Sequence, residues 1–186
     1  MRSTQFWLES TIIGRATKSQ QRRSAVTATV RLSTQSQTPI RLLPSIPRRL
    51  RRVAATICTD WVTEGHTEVS IVLTDDDGIR VLNAEWRGLD QATDVLSFPQ
   101  FDLPVPRNAP CLGDVVISVE TARRQAQELG NSLTDEMVIL LVHGLLHLLG
   151  EDHEAPEDSR RMADCEGRWL KRFRIDSGLI QRTGVT

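Results

Sequence analysis

The chain has 186 residues, 39% of them hydrophobic and 4% aromatic, with no tyrosine and a net charge of −1. That length suits one domain with some extra chain; the longest apolar run, 137–149, falls short of the ~20 residues of a membrane span, and the three scattered cysteines without a C-x-x-C exclude a disulfide framework and point to a reducing compartment. The near-zero total hides a split: residues 1–52 carry eleven basic side chains against the single acid Glu9, a net +10, and the remainder stands at −11, the pattern of a folded part with a tail of different character.

Residues 1–46 are rich in Arg, Ser, Thr and Gln and show no lasting hydrophobic period; "STQSQTPIRLLPSIP" closes them as a proline-marked linker. They are expected to form a basic, disordered extension, the product of an upstream start codon or an organellar transit peptide, which shares this composition. No continuous apolar stretch of signal-peptide type follows the basic start. A domain is expected over 47–176, with a short C-terminal tail at 177–186.

From Pro47 the texture changes. "PRRLRRVAATICTDWVTEG" places Leu50, Val53, Ala54, Ile57, Trp61 and Val62 at helical spacing, with Gly65 as a stop. "EVSIVL" (68–73) reads as a strand. "DDDGIRVLNAEWRG" opens with acids suited to a helix N-terminus and ends at Gly88. Strands follow at 93–99 and 113–118, separated by the proline-broken loop "FDLPVPRNAPC", and then a helix over 119–130. Ser132 and Asp135 form an S-x-x-D capping box for the next helix, which reaches about Leu149 and is apolar nearly all round, so it should be the buried central one. A more polar helix spans roughly 157–173. Interspersed strands and helices favour a small sheet of mixed direction with helices packed on it.

Three of the four histidines fall in "HGLLHLLGEDHE". His143 and His147, at i and i+4, share one helix face with Cβ atoms ~6 Å apart. Gly150 suits a left-handed C-cap that turns the chain and returns His153 toward the same point. Burying two imidazoles without partners costs about 1–3 kcal/mol each, and one metal ion satisfies both. Three neutral nitrogen ligands suit zinc first, one ion per chain, with a fourth position open to solvent, as in catalytic rather than structural sites. The spacing also occurs in zinc proteases, but Gly144 stands where they carry their glutamate base. Glu151, Asp152, Glu154 and Asp114 are the nearby acids that could replace it, and Asp152 is the best placed to orient an imidazole.

"HGLLHLLGEDHE" resembles the signature of the YbeY endoribonuclease family, also called rRNA maturation factor. "EVSIVLTDDDGIRVLN", "LNAEWRGLDQATDVLSFP" and "LGDVVIS" resemble further stretches of that family in the same order, so the likeness covers about residues 50–175. Glu151 departs from it, occupying a position where an aromatic residue is common. The resemblance implies an α+β fold, a small mixed, mostly parallel four-stranded sheet packed with about five helices and a zinc site at the end of the central helix. It implies a single-strand-specific, zinc-dependent endoribonuclease acting in rRNA maturation, at the 16S rRNA 3′ end, and in ribosome quality control. Zinc would be held by His143, His147 and His153. Arg87, in "EWRG", would be the cationic residue facing the metal, pairing with phosphoryl oxygens; without the resemblance it reads as a solvated arginine at a helix end.

The expected partners are single-stranded rRNA and small-subunit ribosomal proteins or an assembly GTPase, with no membrane, in a bacterial cytoplasm or, if 1–46 is a transit peptide, an organelle. The alternatives are a zinc metallopeptidase with a displaced base and a ribosome-assembly factor with structural zinc. A folded part at −11 is unusual for an RNA enzyme. The metal's charge, the basic tail, delivery by a ribosomal partner, or the clusters Arg123–Arg124 and Arg160–Arg161 with Arg168, Lys171, Arg172 and Arg174 would offset it, although these clusters read mainly as solvated helix faces. His66 has no assigned role, and Cys58, Cys111 and Cys165 read as small core residues.

Overall fold

The computed structural model describes residues 26–37, 39–151 and 156–175. Four strands and five helices follow along them: β1 (Thr27–Thr34), α1 (Ser45–Trp61), β2 (His66–Thr74), α2 (Asp76–Arg87), β3 (Val95–Pro99), β4 (Cys111–Ser118), α3 (Val119–Leu129), α4 (Leu133–Leu148) and α5 (Pro156–Arg172). The sheet runs in the order β1-β2-β4-β3. β1 pairs parallel with β2, and β2 parallel with β4, while β3 lies antiparallel on β4. The α+β architecture with a mostly parallel four-stranded sheet and five helices is the one expected.

β1 corrects the expected boundary at residue 46. Thr27–Thr34 fall inside the segment set apart as an extension, yet pair residue for residue with His66–Leu73. Ala28, Val30 and Leu32 alternate with exposed Thr27, Thr29, Arg31 and Ser33 and pack their half-buried side chains on the core. A two-residue period in a Ser/Thr-rich stretch is an edge strand with one face on the core.

α4 is the hub. Eleven of its sixteen residues are buried, because the sheet lies beneath it and α1, α3 and α5 pack around it. Ser132 caps it: its hydroxyl accepts from the Asp135 amide at 3.1 Å and donates to the Asp135 carboxylate at 2.7 Å, the capping interaction the sequence promised. At the far end the Gly150 amide donates to the His147 carbonyl and the Glu151 amide to the Leu146 carbonyl, with Gly150 at φ +90°. This is a Schellman closure around a left-handed glycine. The second sheet face is thinner. There α2 packs Ile79 against Leu96 and Val116, and this small cluster is separate from the main core.

Candidate functional site

The C-terminal half of α4 breaks the surface along one line. His143, His147 and Gly150 are partly exposed, while Gly144, Leu145, Leu146, Leu148 and Leu149 are buried. The i,i+4 spacing brings the two imidazoles together as expected. Their Nε2 atoms stand 3.2 Å apart and their ring centroids 4.7 Å. Two nitrogens so close either share a proton or hold one cation. The corresponding separation in a tetrahedral zinc site with Zn–N bonds of ~2.0–2.1 Å is about 3.3 Å, so the pair fits the ion the sequence called for.

The far side of the first ring is fixed by a residue the sequence reading missed. Glu166 of α5 is buried and its Oε1 lies 2.6 Å from His143 Nδ1. A proton on Nδ1 donated to this carboxylate leaves the Nε2 lone pair facing His147, the arrangement that orients a metal-binding histidine. Asp152, expected in that role, lies outside the described residues, as do His153 and Glu154. Among the described residues alone, no three His, Cys, Asp or Glu side chains cluster as metal ligands. Glu166 could have been found only by pairing helices, because on a polar helix it reads as one more surface acid.

Gly144 is explained by packing. A Cβ at this position would stand 2.7 Å from Val115 Cγ1 and 3.0 Å from Ser97 Oγ, and the Ser97 hydroxyl donates to the Gly144 carbonyl at 3.0 Å. Position 144 therefore faces β3 and β4 at a distance only glycine allows, so a glutamate base there has no room to reach the histidine cleft. The proposed replacements are distributed elsewhere. Glu151 is engaged by Arg161 at 2.8 Å. Asp114 is exposed on β4, one residue before Val115, which contacts α4, and so lies on the opposite sheet face.

Arg87 ends α2, exposed, immediately before Gly88 at φ +70°. Asn83 braces the loop beyond it: its Nδ2 donates to the Gln91 carbonyl at 2.8 Å and its own carbonyl accepts from the Leu89 amide at 3.3 Å. Among the described residues no hydrogen bond or ion pair joins Arg87 to the histidines, and α2 packs on the sheet face away from α4. The structure thus brings His143 and His147 together and leaves Arg87 on a separate element.

Several charged groups serve the fold. Arg124 binds Asp76 at 2.6 Å and ties α3 to α2, and Arg161 reaches both Glu151 and Asp158. His66 Nδ1 meets Thr27 Oγ1 at 2.8 Å where β1 and β2 begin. Burial pushes the Cys58 thiol up to about 12, consistent with an inert core side chain; Cys165 is also buried and Cys111 partly so.

Comparison with known proteins gives a concordant result. The model of a protein family described as endoribonuclease YbeY matches residues 33–174. Three relatives carry that same name. One from Myxococcus xanthus is 58% identical over 104 residues, 55% of this chain and 35% of its own length. A second, from Heliobacterium modesticaldum, is 52% identical over 114 residues, covering 56% of this chain and 69% of the relative. The third, from Thermus thermophilus, is 48% identical over 110 residues, 59% of this chain and 78% of the relative. The chain thus spans about a third of the Myxococcus protein and more of the others. The solution structure of a Thermotoga maritima protein superposes with a TM-score of 0.52 at 23% identity, covering 78% of this chain and 92% of that one, and it shares the fold.

Proposed function

Since this chain belongs to the endoribonuclease YbeY family, we propose that it is a zinc-dependent endoribonuclease cutting single-stranded ribosomal RNA during maturation of the 16S 3′ end and in ribosome quality control. The observation that carries this reading is the 3.2 Å approach of the His143 and His147 Nε2 atoms, with Glu166 behind the first ring. His143, His147 and His153 would hold the ion. Zinc bound there supplies a Lewis acid that polarises a phosphoryl oxygen. Glu166 keeps the His143 ring in the tautomer and orientation that present Nε2. Arg87, free of any carboxylate among the described residues, is the side chain we assign to the charge that develops on the scissile phosphate, pairing with its oxygens through two N–H donors.

The substrate is delivered by small-subunit ribosomal proteins or an assembly GTPase, in a bacterial cytoplasm, which offsets the acidic charge of the folded part. The packing of Gly144 against the sheet supports this reading over a peptidase, since it keeps a base out of the position next to His143. The test combines metal analysis with cleavage of a single-stranded rRNA fragment by the wild type, Arg87→Ala and His147→Ala. One zinc per chain and activity lost in both variants are expected; unchanged cleavage by both would remove the assignment. Products ending in 2′,3′-cyclic phosphate identify the ribose 2′-hydroxyl as the attacking group.

A further inference from the structure

α1, the end of α4, α5 and Arg107 of the loop over 101–110 line a half-open cavity of about 440 Å³, within the range of small-ligand sites. Ile57, Leu146 and Leu149 back it from the core, and the partly exposed Trp61 and Trp169 contribute aromatic rings. Three guanidiniums join them. Arg107 lies flat enough over the Trp61 ring to bring its Cζ within 3.6 Å of the centroid, and Arg172 sits 5.0 Å from the Trp169 centroid. Arg168 completes the set.

The charge balance of this cavity is uneven. Its two acids are already engaged, Asp60 by Arg172 at 3.3 Å and Glu151 by Arg161 at 2.8 Å. Arg107 and Arg168 have no carboxylate partner among the described residues. Arg107 donates to the Trp61 carbonyl at 3.0 Å, and Arg168 to Cys165 Sγ at 2.9 Å. Two exposed guanidiniums beside an apolar wall suit a ligand that is both anionic and flat. An arginine backed by an indole presents its outer plane for stacking on a base, while its edge and a neighbouring arginine hold phosphate. The Trp61 Nε1 donor also has no acceptor among the described residues.

The cavity and the histidines share the C-terminal end of α4. Leu146 precedes His147 on α4, and Leu149 follows just past the helix end. The loop that carries Arg107 also covers the end of α4: a Cβ on Gly150 would lie 2.5 Å from Leu103 Cδ2 and 3.9 Å from Val105 Cγ2. Both therefore lie around one helix end, on a helix ~10–12 Å across.

We propose that this cavity is a second RNA subsite, taking one unpaired nucleotide of the substrate strand with its base on the Arg107–Trp61 stack and its phosphate between Arg107 and Arg168. The proposal rests on the nuclease reading and specifies how the strand is held away from the scissile bond.

The test uses the full chain and a short single-stranded oligoribonucleotide protected by 2′-O-methyl groups and phosphorothioate linkages and checked to stay intact, with binding read by anisotropy and by tryptophan fluorescence. Expected are quenching on binding, affinity at least tenfold lower in Arg107→Ala/Arg168→Ala, and KM raised by the same factor with kcat retained on a cleavable strand. A charge-matched variant, Arg48→Ala/Arg51→Ala, should change affinity less than threefold. Arg107→Lys keeps the charge but not the plane, and should lose the quenching while retaining part of the affinity. Wild-type-like binding by the Arg107/Arg168 variant overturns the subsite while leaving cleavage, and with it the nuclease reading, intact. Binding without any cleavage by the wild type would sink the nuclease reading and keep the subsite. Quenching by an acidic peptide but not by RNA would assign the cavity to a protein partner and overturn the proposal.

Discussion

The two faces of the sheet are built to different standards. On one, α4 lies embedded among α1, α3, α5 and the sheet, and all its apolar side chains from Met137 to Leu149 are buried. On the other, α2 rests on a cluster whose buried members are Ile79, Leu96 and Val116, and leaves Trp86 65% exposed at its C-terminal end, edge-on to Phe98. Close packing holds a helix to within fractions of an ångström, and an element with few buried contacts is freer to move. The histidines, which under the proposed function meet one ion at fixed bond lengths, sit on the densely packed face. Arg87, to which the proposed function gives a diffuse charge to answer on a long side chain, sits on the sparsely packed one. Tolerance to error in position follows the chemistry each residue is asked to do.

The largest break in this contrast should come from His147→Ala. It is expected to remove zinc from the purified protein and abolish RNA cleavage while the thermal midpoint of the metal-free protein stays within a few degrees of wild type, since His147 is partly exposed and its Nε2 partner is the other ligand. Calorimetry with and without zinc checks this, and collapse of the fold would show a structural ion instead. Glu166→Gln should lower zinc affinity about 10–100-fold by loosening the His143 ring, measured by competition with a chelating dye. An unchanged affinity would mean that Glu166 only packs α5.

Gly144→Ala probes the dense face directly. Overpacking costs about 1–3 kcal/mol and helix propensity returns about 1 kcal/mol; with Val115 Cγ1 only 2.7 Å from the added Cβ the cost falls in the upper part of its range, and a net loss approaching about 2 kcal/mol is expected in urea unfolding. A neutral result would show that Val115 and Ser97 yield more than a packed face should. On the sparse face, Asp75 caps α2. The Ser36 hydroxyl bond, followed by the Gly78 and Gln37 amides, holds its carboxyl below the usual value, against the opposing effect of burial. A lowered folded pKa contributes stability that is complete above the unfolded value of ~3.9 and is lost as pH falls through the folded one. Asp75→Asn should therefore flatten the fall in stability below about pH 4 and leave its slope near neutrality unchanged, as followed by circular dichroism.

Much of the fold was legible because its periods are strong. The run from Leu50 to Val62, the β-branched 68–73 stretch, the Ser132 cap and the all-round apolar α4 each announce one element. β1 was not, since Arg, Ser and Thr on its exposed side resemble linker composition and only Ala28, Val30 and Leu32 carry the period of two. The site divides in the same way. His143 and His147 are conspicuous because imidazoles interrupt leucines on a buried helix. Arg87 emerges only through resemblance, as nothing local distinguishes it from other helix-terminal arginines. Glu166 needs the α4–α5 packing, twenty-three residues away along the chain, before its burial and its partner exist.

β1 also has a practical meaning for anyone shortening this protein. Cutting at the proline-marked linker would strip away the outermost ribbon of the sheet and lay bare the backbone amides and carbonyls of His66–Leu73 that it satisfies. An unprotected border of that kind recruits other chains, so such a fragment is expected to aggregate while retaining both histidines of α4, and a soluble version must begin ahead of Thr27.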